Sequence, residues 1–275
     1  MKPPASRRAD KMTGLDTLRR FTTPMRVIAS EEEQALLATG TTLAIDHGGQ
    51  RLAAWRFGAG GPRVLLVHGW NSRGSHLGGF VAPLVARGHE VILFDGPAHG
   101  ESEGMRSSVV HQARALRRVA DVLGPIDAVI AHSIGSTAAL VAFAEGLRVR
   151  ASVHLAGPTS GEQRLAEAIA AAELLPAEAY SFRRLFAAFI GMPASSVELE
   201  AVKHGLRHPG LLIHDPADRV IPFAESEALH WVWRASTLFV VDGVGHARIL
   251  RAPSVVSRAV DWITAQRART SLRAA

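Results

Sequence analysis

Residues 126–140 read IDAVIAHSIGSTAAL, and this stretch decides the fold of the chain. Its first half is a short apolar run, typical of a strand buried on both faces of a parallel sheet, and its second half is small and favours a helix. Ser133 lies between the halves, with Ala131 and Gly135 two residues to either side. A serine at the tip of a tight turn between a strand and a helix is the context of a nucleophile elbow, where small neighbours let strand and helix approach closely. The alternative for this stretch alone is a serine that caps a helix.

Composition predicts a globular protein with a large core. Of the 275 residues, 47% are hydrophobic and 20% are charged, so global disorder is not expected. The chain has no cysteine, which excludes disulfides, cysteine metal sites and thiol catalysis, and agrees with a cytoplasmic location. No apolar run approaches the roughly 18 residues of a membrane span, and no signal-peptide pattern opens the chain. We therefore expect an unexported protein without stable membrane association.

The net charge of +6 is concentrated at the two ends of the chain. Residues 1–26 hold seven lysines and arginines against two aspartates, and three more arginines follow residue 266, so the body between is slightly acidic. A nucleic-acid enzyme would carry its basic residues along a groove. The charge pattern therefore predicts solvated termini and no nucleic-acid partner, with nucleic-acid or acidic-surface docking through the N-terminus as the alternative.

Strands and helices alternate through most of the chain, which predicts one largely parallel sheet. A strand pair at 41–46 and 50–57 comes first, joined by a Gly-Gly turn, and residues 12–21 show apolar positions every three residues that suit one short helix. Further strands are predicted at 64–67, 91–94, 126–131, 151–156, 211–214 and 238–241. Helices are predicted at 77–87, 109–123, 136–141, 223–233 and 254–264.

The alternation breaks at residues 158–209, which are helical by pattern and follow the sixth predicted strand. This break predicts a core of residues 41–157 and 210–275, a helical cap insertion at 158–209 and a basic N-terminal extension at 1–40. Ligands of such sheets bind in the crevice beyond the carboxyl ends of the strands. An insertion at a strand's carboxyl end is therefore expected to cover that crevice.

Three residue types needed for acyl transfer follow three of the predicted strands. Ser133 follows one strand, Asp215 and Asp218 follow the strand at 211–214, and His246 follows the strand at 238–241. A serine hydroxyl needs an imidazole to take its proton, and a carboxylate must orient that imidazole. Because parallel strands end at one edge of the sheet, we expect these side chains to meet there. Either aspartate suits the role of the acid at this point.

Backbone amides are expected to complete the site as an oxyanion hole. One donor is the amide of Ile134, the residue after the serine, and the other lies in the loop that follows the strand at 64–67. That loop reads His68-Gly69-Trp70, and we assign the donor to the Trp70 amide.

Four motifs in order resemble the α/β-hydrolase superfamily over nearly all of the chain past residue 40. They are the His68-Gly69-Trp70 loop, the DGPAHGES turn at 95–102, the AHSIG elbow at 131–135, and DPADRVIP at 215–222 with Gly245-His246 after it. The resemblance implies a mostly parallel central sheet flanked by helices, with a helical cap inserted after the sixth strand. It also implies Asp218 as the acid, just ahead of Val-x-Pro, with Asp215 as a turn or cap carboxylate. A serine at the elbow differs from the aspartate of haloalkane dehalogenases and epoxide hydrolases.

Other polar residues near the motifs are predicted to be structural. His68 and His99 should bond loop backbone, Asp95 should brace its own turn, and His132 should pack under the elbow or touch substrate. The cap residues Phe182, Phe186, Phe189 and Ile190 are predicted to pack, and some of them to line an acyl pocket. No nucleotide motif is present, and the histidines lack metal-ligand spacing, so neither cofactor nor metal is expected.

These observations predict a serine hydrolase with Ser133, Asp218 and His246 as its triad and the Trp70 and Ile134 amides as its oxyanion hole. The expected substrate is a small carboxylic ester with a short to medium acyl chain. The same triad acting on a thioester, lactone, amide or carbon–carbon bond, or in perhydrolysis, is the alternative among enzymes. The alternative of another class is a non-catalytic small-molecule-binding protein on this fold. The sequence leaves a homodimer open as an assembly.

Overall fold

The computed structural model describes residues 12–274, with the side chains of residues 12–268. Of the basic residues predicted for the two solvated ends, Lys2, Arg7, Arg8 and Lys11 lie outside the described residues, and the side chains of Arg269 and Arg273 do as well. Eight strands form one sheet in the order β1-β2-β4-β3-β5-β6-β7-β8. They are β1 (Thr41–His47), β2 (Gln50–Phe57), β3 (Arg63–Val67), β4 (Glu90–Phe94), β5 (Ala128–His132), β6 (Ala151–Leu155), β7 (Gly210–His214) and β8 (Ser236–Val240).

The sheet is mostly parallel, as the sequence predicts. The pairs β1–β2 and β2–β4 are antiparallel, whereas every pair from β4 through β3 and β5 to β8 is parallel. The carboxyl ends of β3 to β8 therefore share one edge of the sheet. β5 lies near the middle of that edge, paired to β3 on one side and to β6 on the other.

Burial on both faces explains why the central strands are continuous apolar runs. In β5, Val129 and Ala131 belong to one core cluster, whereas Ala128 and Ile130 belong to the other. The first face is covered by α4 (Val109–Leu123) and α5 (Ile134–Ala144), and the second by α3 (Val81–Ala86) and α11 (Pro253–Ala274). This two-faced covering is what a parallel sheet requires.

The helix predicted at 77–87 is wrong in its first half. Residues Gly74–Phe80 form a 3₁₀ helix, and α3 begins only at Val81. Glycine weakens an α-helix because it loses more backbone entropy than any other residue, and this segment holds three glycines. Gly78 is also needed for space, because a Cβ there would collide with the Leu36 side chain.

Two helices precede the sheet where one was predicted. α1 (Gly14–Thr22) occupies the predicted position, and α2 (Glu31–Ala38) was missed. α2 carries a full capping box, in which the Ser30 side chain accepts from the Glu33 amide and the Glu33 side chain accepts from the Ser30 amide. The Ser-x-x-Glu spacing was therefore the available signal for this helix.

Residues between β6 and β7 are helical, and the described part of this segment contains no strand. It holds α6 (Gly161–Ala171), α7 (Pro176–Ile190) and α8 (Leu199–Val202), with 3₁₀ turns at Ala194–Val197 and Lys203–Gly205. α9 (Phe223–Val232) lies between β7 and β8 in the chain, and α10 (Gly245–Arg248) follows β8. None of the helices in residues 12–274 is both long and apolar enough to cross a bilayer.

Candidate active site

Ser133 occupies the sharp turn between β5 and α5. Its backbone has φ 53° and ψ −130°, a region that side-chain-bearing residues rarely adopt and that costs of order 1–3 kcal/mol. The turn is held by two backbone hydrogen bonds, from the Ser133 amide to the Leu155 oxygen at 2.9 Å and from the Ser136 amide to the Ser133 oxygen at 2.8 Å. The strain of this serine is therefore fixed by the sheet and the helix on either side of it.

Small residues surround the turn because backbone passes close to it. A Cβ at Gly135 would lie 2.7 Å from the Val67 carbonyl oxygen and would clash with that of His68. A Cβ at Gly69 would lie 2.9 Å from the Ser133 Cβ. Ala131, which stands where a glycine is commoner in the motif, is fully buried.

His246 and Asp218 meet Ser133 at the carboxyl edge of the sheet. The Ser133 Oγ lies 3.0 Å from His246 Nε2, and His246 Nδ1 lies 2.7 Å from Asp218 Oδ2. A carboxylate can only accept, so the pairing assigns the proton to Nδ1 and leaves Nε2 to accept from the serine hydroxyl. This arrangement allows the imidazole to take the serine proton.

Asp218 lies in the turn after β7, and the backbone of that turn supports its negative charge. Its Oδ1 accepts from the Val220 amide at 2.7 Å and from the Ile221 amide at 3.1 Å. Burial raises the pKa of Asp218, but the bonds from Val220, His246 and Ile221 outweigh it, and the pKa lies below the ordinary 3.8. The carboxylate is therefore ionised at neutral pH.

Asp215, the other candidate acid, faces the backbone instead of the imidazole ring. It accepts from the Gly245 amide at 2.6 Å and from the Ala217 amide at 2.9 Å. These backbone bonds hold the pKa of Asp215 below its ordinary value. Asp215 thus joins the turn after β7 to the loop that carries His246, as expected for a turn carboxylate.

His132 packs beside His246 as well as under the elbow. Its ring centroid lies 4.8 Å from that of His246, and its Nε2 lies 2.9 Å from the His246 carbonyl oxygen. Burial lowers the pKa of His132 to about 3, with the nearby His246 charge acting in the same direction. The ring is therefore neutral, and Nε2 carries the proton that it donates to the carbonyl.

The loops beside the site are braced by His68, His99 and Asp95, as the sequence predicts. His68 accepts from the Gly96 amide at 2.8 Å through Nε2, and its Nδ1 lies 2.7 Å from the Gly69 oxygen. Burial lowers the pKa of His68 to about 4 and that of His99 to about 3, and His99 Nδ1 lies 2.9 Å from the Pro97 oxygen. Asp95 accepts from two loop amides at 2.7 and 2.8 Å, and burial raises its pKa.

A cavity of about 420 Å³ opens at Ser133. The other lining residues are Arg20, Phe21, Trp70, Ser108, Val109, Ile134, Thr137, Pro158, Ser160, Gly161, Arg164, Leu165, Phe186, Ala194, Val197, Val220 and Ile221. The lining is predominantly apolar, and the volume of the cavity falls within the range of small-molecule sites. It includes Trp70 and Ile134, the two residues predicted to form an oxyanion hole.

Sequence reasoning found some of this lining and missed the rest. Of the four apolar residues predicted to pack or line a pocket in segment 158–209, Phe186 reaches the cavity, whereas Phe182 and Ile190 are fully buried in packing and Phe189 packs against Arg106 and His111. The contribution of α1 through Arg20 and Phe21 was missed. No local pattern reports it, because it depends on where α1 docks.

Neither the residue types nor their arrangement suggests a metal centre. Within residues 12–274, no group of three or more histidine, aspartate or glutamate side chains is placed to hold a metal ion.

Several solved structures share the fold of this chain. Solved structures with a similar fold include an esterase from Pyrococcus furiosus, with 21% identity, a TM-score of 0.67, and coverage of 88% of this chain and 98% of that one. The structure of Est1E from Butyrivibrio proteoclasticus with ferulic acid bound has 18% identity, a TM-score of 0.63, and coverage of 82% of this chain and 99% of that one. A putative lipase from Acinetobacter baumannii has 17% identity, a TM-score of 0.66, and coverage of 89% of this chain and 99% of that one.

Sequence comparison agrees with these likenesses in fold. No curated protein matches the chain significantly. Residues 64–259 match the sequence model of the alpha/beta hydrolase family, which is well over half of the chain. The chain therefore belongs to the alpha/beta hydrolase family.

Proposed function

We propose that this protein is a serine hydrolase that cleaves carboxylic esters with short to medium acyl chains. Ser133 is the nucleophile, His246 the general base and acid, and Asp218 the residue that orients the imidazole. The observation that carries the proposal is the unbroken series of contacts from Asp218 through His246 to a strained serine at the wall of a cavity. The apolar lining of that cavity supports an acyl chain as its occupant.

The proposed reaction has two acyl-transfer steps. The Ser133 Oγ attacks the ester carbonyl as His246 Nε2 takes its proton, and the tetrahedral intermediate collapses when that proton passes to the leaving alcohol. Water then attacks the acyl-enzyme with His246 again as base, and Ser133 is released with its proton restored. Asp218 stabilises the imidazolium that forms in each step.

The oxyanion hole is assigned to the amides of Trp70 and Ile134. Both residues line the cavity with Ser133, and neither amide donates to an acceptor within residues 12–274. Free amide donors beside a nucleophile are what a developing oxyanion requires, and each contributes about 3 kcal/mol to its stabilisation.

The segment 158–209 is proposed to act as a cap over a core formed by residues 41–157 and 210–275. Leu165 and Phe186 from its helices and Val197 from its 3₁₀ turn line the cavity, which supports a covering role. Residues 1–40 are proposed to form a separate N-terminal extension. Helix α1, which lies within it, reaches the same cavity.

We also propose where the protein acts and which partners it has. The substrate is a small molecule, and the protein works in the cytoplasm, as a monomer or a homodimer, without a nucleic-acid partner or stable membrane association. Light scattering of the purified protein measures the assembly. Salt-sensitive retention on heparin that is lost when residues 1–11 are removed would contradict the absence of a polyanionic partner.

Intact-mass labelling with a fluorophosphonate probe tests the mechanism. A single adduct is expected on the wild type, and none on Ser133→Ala or His246→Ala, because only an activated serine reacts. A panel of esters, thioesters, lactones and amides then gives the bond that is cleaved. Full esterase activity in Ser133→Ala would contradict the mechanism, and ligand binding without turnover or labelling would favour a non-catalytic binding protein.

A further inference from the structure

Helix α1 forms a fixed part of the cavity wall. Arg20 and Phe21 line the same cavity as Ser133. The Phe21 ring meets the rings of Phe182 and Phe186 edge-on, at centroid distances of 5.6 and 5.5 Å. At the other end of the helix, the Gly14 amide donates to Glu178 Oε2 at 2.6 Å. Contacts at both ends thus hold α1 against α7.

The charge that faces this cavity is positive. Arg20 and Arg164 are the charged residues among its described lining, which includes no carboxylate. Arg20 is exposed, and no carboxylate of residues 12–268 lies within 4.0 Å of it. Its Nη1 contacts the Met12 sulfur at 3.1 Å, so none of the carboxylates of residues 12–268 compensates its charge. An apolar cavity with a cation at its wall suits an amphipathic ligand with a negative group.

Arg164, on α6, is mostly buried and lies within ion-pair distance of two carboxylates. Its Nη2 lies 2.7 Å from Glu167 Oε1 and 3.7 Å from Glu225 Oε1. Glu225 is itself fixed, since its Oε2 accepts from the Thr159 amide at 2.7 Å and from the Thr159 hydroxyl at 2.5 Å. The Arg164 Nε and Nη2 are buried and make no hydrogen bond within the described residues, so Glu167 and Glu225 act on Arg164 through charge alone. The carboxylates therefore offset part of its charge, and Nη1, which keeps accessible surface and has no hydrogen-bond partner among the described residues, is the nitrogen left to meet a ligand.

The place of His246 indicates which part of an ester enters this cavity. His246 must hand a proton to the leaving alcohol, so the alcohol has to lie on its side of Ser133. His246 does not line the 420 Å³ cavity but a neighbouring pocket, together with Arg219 and Arg248. The alcohol is therefore expected on that side, and the acyl chain in the cavity.

We propose that the acyl chain bound here ends in a carboxylate, and that Arg20 and Arg164 are the residues that select it. This inference rests on the proposed ester hydrolysis and names its substrate class as half-esters of aliphatic dicarboxylic acids. Guanidinium groups pair well with carboxylates, and a charge-assisted hydrogen bond is about twice as strong as a neutral one. The apolar lining contacts the methylene groups between the ester and the terminal carboxylate.

The test compares two p-nitrophenyl esters that share the length of the acyl chain, the hydrogen adipate with its terminal carboxylate and the neutral hexanoate. The readout is the ratio of their kcat/KM values, which cancels any general loss of activity. We expect the ratio to exceed one in the wild type and to fall about tenfold in Arg164→Gln, equivalent to ~1.4 kcal/mol. In Arg20→Gln we expect a fall of about threefold, and in Arg20→Glu a larger one.

Arg19→Gln is the matched control, because it removes the same charge from the same helix. Arg19 is exposed, pairs with Asp16 at 3.8 Å and does not line the cavity, so its ratio should match the wild type within twofold. Arg164→Lys keeps the charge and should retain more of the ratio than Arg164→Gln. If Arg164→Gln fails to fold because buried Glu225 loses its partner, the kcat/KM ratios of Arg20→Gln and Arg20→Glu test the proposal without it.

The outcomes separate this inference from the proposed function. Ser133-dependent hydrolysis of the hexanoate, with a ratio at or below one that the Arg20 variants leave unchanged, overturns the substrate class and leaves the esterase in place. Absence of both hydrolysis and fluorophosphonate labelling overturns the proposed function and this inference together. Protection of Ser133 from the probe by adipate, but not by hexanoate, supports the substrate class without turnover.

Discussion

His132 donates its Nε2 proton to the main-chain carbonyl of His246 at 2.9 Å, so the residue next to the proposed nucleophile also holds the proposed base. The two rings lie 4.8 Å apart, and the neutral state of His132 spares the imidazolium that forms on His246 a second positive charge nearby. One buried side chain thereby links the elbow to the loop after β8. This link makes His132 a positioning residue for the proposed reaction.

Replacement of His132 tests that link. His132→Phe keeps a ring but removes the donor, so kcat should fall about tenfold while KM changes little, because the base loses a hydrogen bond of ordinary strength. His132→Gln can still donate to the carbonyl and should recover part of the loss. Equal kcat values in the two variants, measured on p-nitrophenyl hexanoate, would show that the hydrogen bond does not position the base.

The two aspartates should differ in what they contribute. Asp218→Asn removes the charge that orients His246 and should lower kcat by about 10⁴. Asp215→Asn weakens only the bonds to the Gly245 and Ala217 amides and should lower kcat by about tenfold through a misplaced loop. Steady-state kinetics of both variants provides the measurement. A larger loss in Asp215→Asn than in Asp218→Asn contradicts the assignment of the acid.

Gly135 should not tolerate a methyl group. Gly135→Ala pushes a Cβ into the carbonyl oxygens of Val67 and His68, and we expect a loss of about 1–3 kcal/mol in the free energy of unfolding together with reduced labelling of Ser133. Gly79→Ala is the control, because its Cβ would meet the Leu250 oxygen only at 3.4 Å. Urea denaturation compares the two, and an equally stable Gly135→Ala would argue against the close approach.

Stability should decrease on acidification because several histidines are buried in the neutral form. Ser136 Oγ lies 2.6 Å from His154 Nδ1, and Ser152 Oγ lies within 2.9 Å of His154 Nε2 and His208 Nε2. Burial lowers the pKa of His154 to about 3 and that of His208 to about 4. The unfolded chain therefore binds more protons than the folded one between about pH 6.5 and those values, so the stabilisation is complete above pH 6.5 and is lost as the pH falls.

Urea denaturation at several pH values checks this dependence. Each such histidine contributes up to about 1.4 kcal/mol per pH unit to the slope of the free energy of unfolding. His154→Gln should reduce the slope by about one proton. A wild-type stability that is flat between pH 6.5 and 4.5 contradicts neutral burial.

The sequence predicted most of the sheet and the residues that meet at its edge. The order of apolar runs is a local property, and a parallel sheet brings the residues after each strand together, which is why Ser133, Asp218 and His246 were found from spacing and motif. The choice between Asp215 and Asp218 came from family resemblance, because spacing alone places both in one turn. The predicted helix bounds differ from the structure where glycines shorten a helix, as between Gly74 and Phe80. Helix α2 is absent from the prediction because the capping box that begins at Ser30 was not used as a signal.

The cavity wall was beyond sequence reasoning because it depends on contacts between distant segments. Phe21 reaches Phe186 only after α1 has docked on α7, and neither sequence pattern contains information about the other. The charges of Arg20 and Arg164 were visible in the sequence, yet nothing local indicates that both face one cavity. Spatial convergence of this kind is a property of the folded chain.

The bond between the Gly14 amide and Glu178 spans 164 residues of chain, which has a consequence for biosynthesis. Synthesis proceeds from the N-terminus, so α1 leaves the ribosome long before its partner helix has been translated. Until then, the apolar side of α1 has no native surface to cover it. The cavity beside Ser133 is thus among the last features of the molecule to be completed, and a nascent chain arrested before α7 would hold Ser133 without the Phe186 part of the cavity wall.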